Sequence, residues 1–238
     1  MRDAPRQIPL NLGHQPGYHR EDLIVTGSNA AAADLIDRWP HWPSPVAVLA
    51  GPTGAGKTHL AEIWREGTDA LRVDPARISE AVAPAAVRPV LIDDIGGAPF
   101  DETGLFHLIN QVRQHAAGGA GPSLLMTSRL LPAGWNVKLP DLASRLKAAT
   151  VVEIAAPDDL LLSGVIHKLF SDRQVSVEPS VVNYLVSRIE RSLLSAIGVV
   201  ERLDRAALEQ KSRITRGLAA QVLAEMAGGD NRNANERE

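Results

Sequence analysis

The sequence predicts an α/β domain built on a parallel sheet, followed by a small all-helical unit. Three observations carry that prediction. The apolar run Val46–Ala50 leads into Gly51-Pro52-Thr53-Gly54-Ala55-Gly56-Lys57-Thr58 and then into His59-Leu60-Ala61-Glu62. Strand, glycine loop and helix start is the setting in which a G-x-x-x-x-G-K-[ST] motif grips phosphate. Further short apolar runs alternate with helical patterns as far as residue 156, as buried parallel strands and their crossover helices do. Beyond Pro157 the strand patterns cease and helical patterns take over.

Taken in order, residues 1–20 read as a flexible tail, because Pro5, Pro9, Gly13, Pro16 and Gly17 disfavour a helix. Within it, Gln7-Ile8-Pro9-Leu10-Asn11-Leu12 places Leu10 and Leu12 on one side of an extended chain. Such a segment is either a pocket-docking peptide or a leader with incidental leucines. The α/β domain is expected over 21–156. Ser28 is placed to cap a helix over about 29–39. The prolines of Trp39-Pro40-His41-Trp42-Pro43-Ser44-Pro45 force a loop, whose tryptophans suit covering the core better than stacking on bases. The phosphate-loop helix is expected to stop near Gly67. A strand follows over 70–73, then a short helix from Pro75 to Val82 and a buried strand from Pro89 to Ile95 that ends in Asp93-Asp94. A long helix from Phe100 to Ala117 carries Leu105, Leu108, Ile109 and Val112 on one face. The next strand, Pro122–Ser128, ends in Thr127-Ser128. A helix over 140–147 and a strand over 151–154 complete the domain. The helical unit, 157–227, contains helices near 158–172, 179–189, 193–211 and 215–226, and residues 228–238 read as a disordered tail.

Composition narrows the function. The chain has 238 residues, 45% of them hydrophobic, and a formal net charge of −3. That composition supports a sizeable core and argues against a broad basic surface for duplex DNA. With no cysteine there is no disulfide framework or zinc–thiolate site, which fits a reducing cytoplasm. No apolar run is long enough for a membrane span and no secretory signal is visible. The seven histidines show no metal-binding spacing.

The chemistry follows from the motifs. Glycines let successive N–H groups face one anion, and the helix start adds partial positive charge. Lys57 can reach the outer phosphates and the Thr58 hydroxyl can ligate Mg²⁺. Asp93 ends an apolar strand, where parallel sheets place their ligand crevice, and can hold the same cation. Asp94 can polarise a water for attack on a γ-phosphate. Either Thr127 or Ser128 can sense the phosphate; equally, a strand-end hydroxyl can cap a turn.

Together, the Gly-Lys-Thr-His-Leu core of 56–60, Asp93-Asp94, Thr127-Ser128 and Leu139-Pro140-Asp141-Leu142-Ala143-Ser144-Arg145-Leu146 resemble the AAA+ module of the bacterial replication initiators of the DnaA family, most closely its shortened Hda branch. The resemblance covers about residues 7–226. It implies an AAA+ phosphate-loop domain followed by an α-helical lid, with ADP or ATP and Mg²⁺ as ligands. Asn29 would fall in the adenine-proximal box, joining Gly51 through His59 in nucleotide binding. Gln7, Leu10 and Leu12 would dock in the sliding clamp of DNA polymerase. Arg145 would be an arginine finger acting in trans, joining Asp94 and Thr127 as catalytic groups. The implied function is regulatory inactivation of DnaA on the clamp, with weak ATP turnover by the chain itself. The competing reading is an autonomous AAA+ ATPase, such as a helicase loader or remodeller, working as a homo-oligomer. The pattern also departs from the family. Leu194 takes the usual place of a lid arginine, with Arg191 three residues away. Ser128-Arg129 replaces the usual Ser-Asp. The basic helix-turn-helix domain that follows this module in DnaA is not expected here.

Overall fold

A computed structural model describes residues 18–116 and 121–235, with side chains described as far as residue 227. The segment Gln7–Leu12, read above as a possible docking peptide, lies outside the described residues. One sheet holds β1 (Val46–Ala50), β2 (Leu71–Val73), β3 (Val90–Ile92), β4 (Leu124–Ser128) and β5 (Thr150–Glu153) in the order β2-β3-β4-β1-β5. Every pairing is parallel, with β1 between β4 and β5. Parallel neighbours need crossovers, and the crossover helices cover both faces.

Strand alternation decides which residues meet which helices. Val46, Val48, Val90, Ile92, Leu124 and Met126 face α3 (Glu102–His115) and α4 (Pro140–Lys147) in one core layer. Ala47, Leu49, Leu91 and Leu125 face α1 (Ala30–Asp37) and α2 (Lys57–Thr68) in the other. The loop tryptophans cover this second layer, as expected. Trp42 stacks on Trp64 with ring centroids 5.4 Å apart, and Trp39 meets the same ring edge-on at 6.5 Å.

Several boundaries differ from expectation for identifiable reasons. Asn29, not Ser28, occupies the cap position of α1, and the Ser28 hydroxyl pairs instead with that of Thr26 at 2.9 Å. Helix α2 runs through Gly67 and reverses at Asp69, which takes a left-handed φ of 52°. Strand β3 is shorter than the apolar run because Asp94, at φ 56°, turns the chain. Asp101 starts α3 two residues late by accepting the Gly104 N–H at 2.8 Å. The segment Pro75–Ala81 is 3-10 rather than α-helical.

The second unit packs α5 (Asp159–Asp172), α6 (Pro179–Val186), α7 (Leu193–Gln210) and α8 (Arg216–Asn235) around a core that includes Ile166, Phe170, Leu185, Val199 and Leu203. Helix α8 extends past 226, so its backbone occupies part of the stretch read as a tail. Among the described residues no helix is long and apolar enough to cross a membrane.

Asp158 fixes where this unit begins. Its carboxylate accepts the Leu161 N–H at 2.8 Å, and that bond holds its pKa below the ordinary range, helped by the Thr26 and Ser28 hydroxyls and opposed by partial burial. A depressed carboxylate stabilises the fold above its unfolded pKa of about 3.9, and that stability is lost as pH falls through the folded value. Asp158→Ala should therefore cost about 1 kcal/mol at neutral pH in urea unfolding, and the difference from the parent should close as the pH falls below the ordinary carboxylate range.

Candidate functional site

The sheet order sets β1 beside β4, so the loop after β1 and the ends of β3 and β4 open on one edge. That edge gathers most of the expected site residues. Gly51–Gly56 form a closed loop in which Gly54, at φ 75°, and Gly56, at φ 95°, are left-handed. Lys57 is buried, and its Nζ donates to the carbonyls of Gly51 and Pro52, each at 2.8 Å. Burial pushes the Lys57 pKa down; Asp94 and Asp93 oppose that shift and Arg129 adds to it. Thr53 is exposed at the loop crest, and Ala55 is buried with its N–H on the Pro52 carbonyl at 3.3 Å.

Asp93 is the hub of the edge. It accepts the Thr58 hydroxyl at 3.1 Å, the Thr127 hydroxyl at 2.6 Å and Arg72 Nη2 at 3.0 Å. Arg72 is in turn held by Glu62 on α2, through Nη1 at 2.6 Å. Glu62 is nearly fully buried for a carboxylate, with a side chain 4% exposed, and Arg65 is its second partner at 2.5 Å. This Glu62–Arg72–Asp93 chain was not legible in the sequence. Arg72 reads as the polar residue of a short strand and Glu62 as a helix charge. Only the pairing of β2 with β3 brings them together.

The hydroxyls of Thr127 and Ser128 have different partners. Thr127 Oγ1 donates to Asp93 and accepts the Asp94 N–H at 2.8 Å, so it faces the site. Ser128 Oγ accepts the Leu130 N–H at 3.1 Å and caps a turn. Asp94 carries its carboxylate beside Arg129, with Nε to Oδ1 at 3.2 Å.

Asn29 is buried, and both ends of its amide bond within its own loop. Its oxygen accepts the Thr26 N–H at 2.8 Å and its nitrogen donates to the Ile24 carbonyl at 2.9 Å. It therefore braces the turn that leads into α1. His59 lies beside Tyr18, with ring centroids 5.4 Å apart, and burial lowers its pKa.

The lid touches the loop directly. The Leu193 N–H donates to the Gly54 carbonyl at 2.9 Å, and a Cβ on Gly54 would come within 2.0 Å of the Ser192 hydroxyl. Leu194 is 61% exposed. Arg191 is turned to Asp159 at 2.8 Å and the Pro157 carbonyl at 3.4 Å, so it is committed to the start of α5. Arg145 stands apart from the phosphate loop. It is half-buried on α4, its guanidinium 5.2 Å from the centroid of the Phe106 ring, and among the described residues it has no ion-pair partner.

Comparison with known proteins places this geometry. Residues 166–223 match the family model described as "Hda, lid domain". Over 251 aligned positions the chain is 27% identical to the chromosomal replication initiator protein DnaA of Sphingopyxis alaskensis, covering 93% of this chain and 54% of that protein. The chain is thus similar to DnaA along most of its length and to Hda in its lid. It spans about half the length of that DnaA relative. Among solved structures, domain III of Thermotoga maritima DnaA superposes with a TM-score of 0.70 at 18% identity, covering 88% of this chain and 97% of that one. AMPPCP-bound DnaA from Aquifex aeolicus gives a TM-score of 0.66 at 18% identity over 82% of this chain and 67% of that one. At these identities the structural likeness is one of fold: an AAA+ sheet domain with its helical lid.

Removing the buried anchor of the Asp93 network tests its structural weight. Glu62→Gln leaves two guanidiniums without their shared carboxylate and should lower the unfolding free energy by about 2 kcal/mol, discounted for the exposure of the arginines. Urea denaturation measures it.

Proposed function

We propose that this chain is a nucleotide-binding AAA+ regulator that docks on the DNA-loaded sliding clamp and stimulates ATP hydrolysis by DnaA in trans, so repressing replication initiation. The observation that carries the proposal is Arg145, a guanidinium with no carboxylate partner among the described residues, resting on Phe106 within the Leu-Pro-Asp-Leu-Ala-Ser-Arg-Leu run. An arginine in that state can leave its ring for another molecule's transferring phosphoryl group at the cost of a cation–π contact. A finger supplied in trans raises hydrolysis by about 10³–10⁵-fold.

The chain's own site suits ADP or ATP. Lys57, the loop N–H groups and the start of α2 provide the phosphate cradle. Thr58 and Asp93 offer the hard oxygens that Mg²⁺ takes, and the ion would neutralise charge on the phosphate oxygens. Asp94 would orient the attacking water, with Thr127 holding the Asp93 carboxylate and the Asp94 backbone N–H. Asn29 would hold the box beside the adenine. With Leu194 in place of a lid arginine and Arg191 committed to Asp159, intrinsic turnover would be weak. Docking through Gln7, Leu10 and Leu12 rests on the sequence resemblance, as does a cytoplasmic location alongside the replication machinery.

The complete set Lys57, Thr58, Asp93 and Asp94 favours a second reading, an autonomous ATPase acting as a homo-oligomer in which Arg145 serves a neighbouring copy. One experiment separates them: DnaA-ATP is mixed with this chain and clamp-loaded DNA, and ADP formation is followed. The parent should accelerate hydrolysis, Arg145→Ala should reduce the acceleration at least about 100-fold, and deleting residues 1–12 should remove the dependence on clamp. Acceleration by Arg145→Ala equal to the parent's refutes the finger role. Fast turnover by the chain alone, lost in Asp94→Ala, supports the second reading. Lys57→Ala should separately weaken adenine-nucleotide binding at least about tenfold in equilibrium dialysis.

A further inference from the structure

Several cations of the lid answer carboxylates. Lys168 lies 2.8 Å from Asp172, Arg173 3.8 Å from Asp204 and Arg191 2.8 Å from Asp159. One corner differs. Where α6 packs on α8, Arg188 and Arg216 share a single aromatic ring, their Cζ atoms 4.0 and 4.8 Å from the centroid of Tyr184. Both arginines are exposed, and among the described residues neither has an ion-pair partner. Arg188 is steadied further, its Nη1 donating to the Ser187 hydroxyl at 2.7 Å.

The sequence itself keeps carboxylates out of this corner. Residues 179–189 and 210–224 contain no Asp or Glu, yet they carry Arg188, Lys211, Arg213 and Arg216. The flanking acids are turned to other groups. Glu190 accepts the Ser195 hydroxyl at 3.4 Å and Glu225 accepts the Gln221 amide at 3.0 Å. A chain of net charge −3 thus presents a corner of unbalanced positive charge. Fold stability does not account for it. Exposed cation–π contacts are weak, and two like charges on one ring repel. An anion that spans both guanidiniums removes that repulsion.

The surroundings select the anion. A protein partner would need an apolar centre to bury, and no large apolar side chain is exposed in either stretch. The exposed residues there include Asn183, Ser187, Ser212 and Thr215, all hydrogen-bonding groups. A single nucleic-acid strand would need an open aromatic face on which to stack its bases, whereas the Tyr184 ring already carries two guanidiniums. Arginine, lysine and small hydroxyls are the groups that hold a duplex by its phosphates.

We propose that the α6–α8 corner of the lid is a sequence-independent contact for the backbone of duplex DNA. Arg188 and Arg216 are preset on Tyr184, and Lys211 and Arg213 lie in the turn before α8. The inference goes beyond the regulator reading and stands without it.

The test is fluorescence anisotropy of a labelled duplex of about 20 base pairs, without clamp or DnaA, over about 50–200 mM salt. The proteins are the parent, Arg188→Ala/Arg216→Ala, Arg188→Lys/Arg216→Lys and a control that loses the same charge on the sheet domain, Arg38→Ala/Arg77→Ala. Each is checked for an unchanged thermal midpoint. The parent should bind with a Kd of about 10⁻⁴–10⁻⁶ M. The alanine pair should weaken binding at least about tenfold at the lowest salt and flatten the slope of log Kd against log salt by about 2, with the control within about twofold of the parent. The lysine pair keeps the charge, so it should keep the slope and lose about two- to threefold in affinity with the stacking. If the alanine pair does not fold, Arg213→Ala, which makes no ring contact, takes its place and should flatten the slope by about 1. Binding by the arginine-to-alanine variant equal to the parent's, or an equal loss in the control, overturns the proposal. So does tighter binding of a single strand of the same length, or of a polyglutamate peptide. A parent that binds no duplex overturns it too, while acceleration of DnaA hydrolysis, measured separately, decides the regulator reading.

Discussion

Asp93 is the constraint on which the site depends. A carboxylate with its side chain only 12% exposed at a sheet edge must be met by donors, because water is too scarce there to solvate it. The donors come from three separate elements: Thr58 from the first turn of α2, Thr127 from the end of β4 and Arg72 from β2. Each bond fixes an element relative to the others. The strand order supplies the coarse placement, and the Asp93 network sets the final register of loop, strand end and helix start.

Glu62 extends that constraint inward. It lies on the same helix as Lys57 and Thr58, and through Arg72 it reaches the carboxylate at the helix mouth. The phosphate-loop helix is thereby tied to Asp93 at two points, one direct and one through an arginine on the edge strand. Charge-assisted bonds in sequence hold geometry better than isolated surface pairs do. Here the chain ends on Asp93, which also accepts the Thr58 hydroxyl.

The fold was legible to the extent that it depends on local pattern. Val46–Ala50, between Pro45 and Gly51, and Leu124–Ser128, shortly after Pro122, both form strands where expected. Helix α4 matched residue for residue because Pro140 starts it and Ala148 breaks from helical geometry after Lys147. Boundaries failed where a non-glycine residue took a left-handed conformation, as Asp69 and Asp94 do, since nothing in a single sequence marks that choice. In the site, Lys57, Thr58 and Asp93 were readable from motif spacing. Arg72 and Glu62 were not, because their meaning arises only when β2 lies beside β3. The position of Arg191 was visible but its commitment to Asp159 was not, because a helix charge does not announce its partner.

The hydrogen bond from Leu193 to Gly54 joins the first residue of α7 to the crest of the phosphate loop. Helix α7 has 18 residues, which makes it about 27 Å long. It is therefore a lever whose short end is pinned to the loop. A rotation of about 10° at that pin carries the far end through about 5 Å, roughly the width of a side chain. Rearrangements of the loop too small to alter the sheet would thus be magnified at the distal surface of the lid, far from any phosphate.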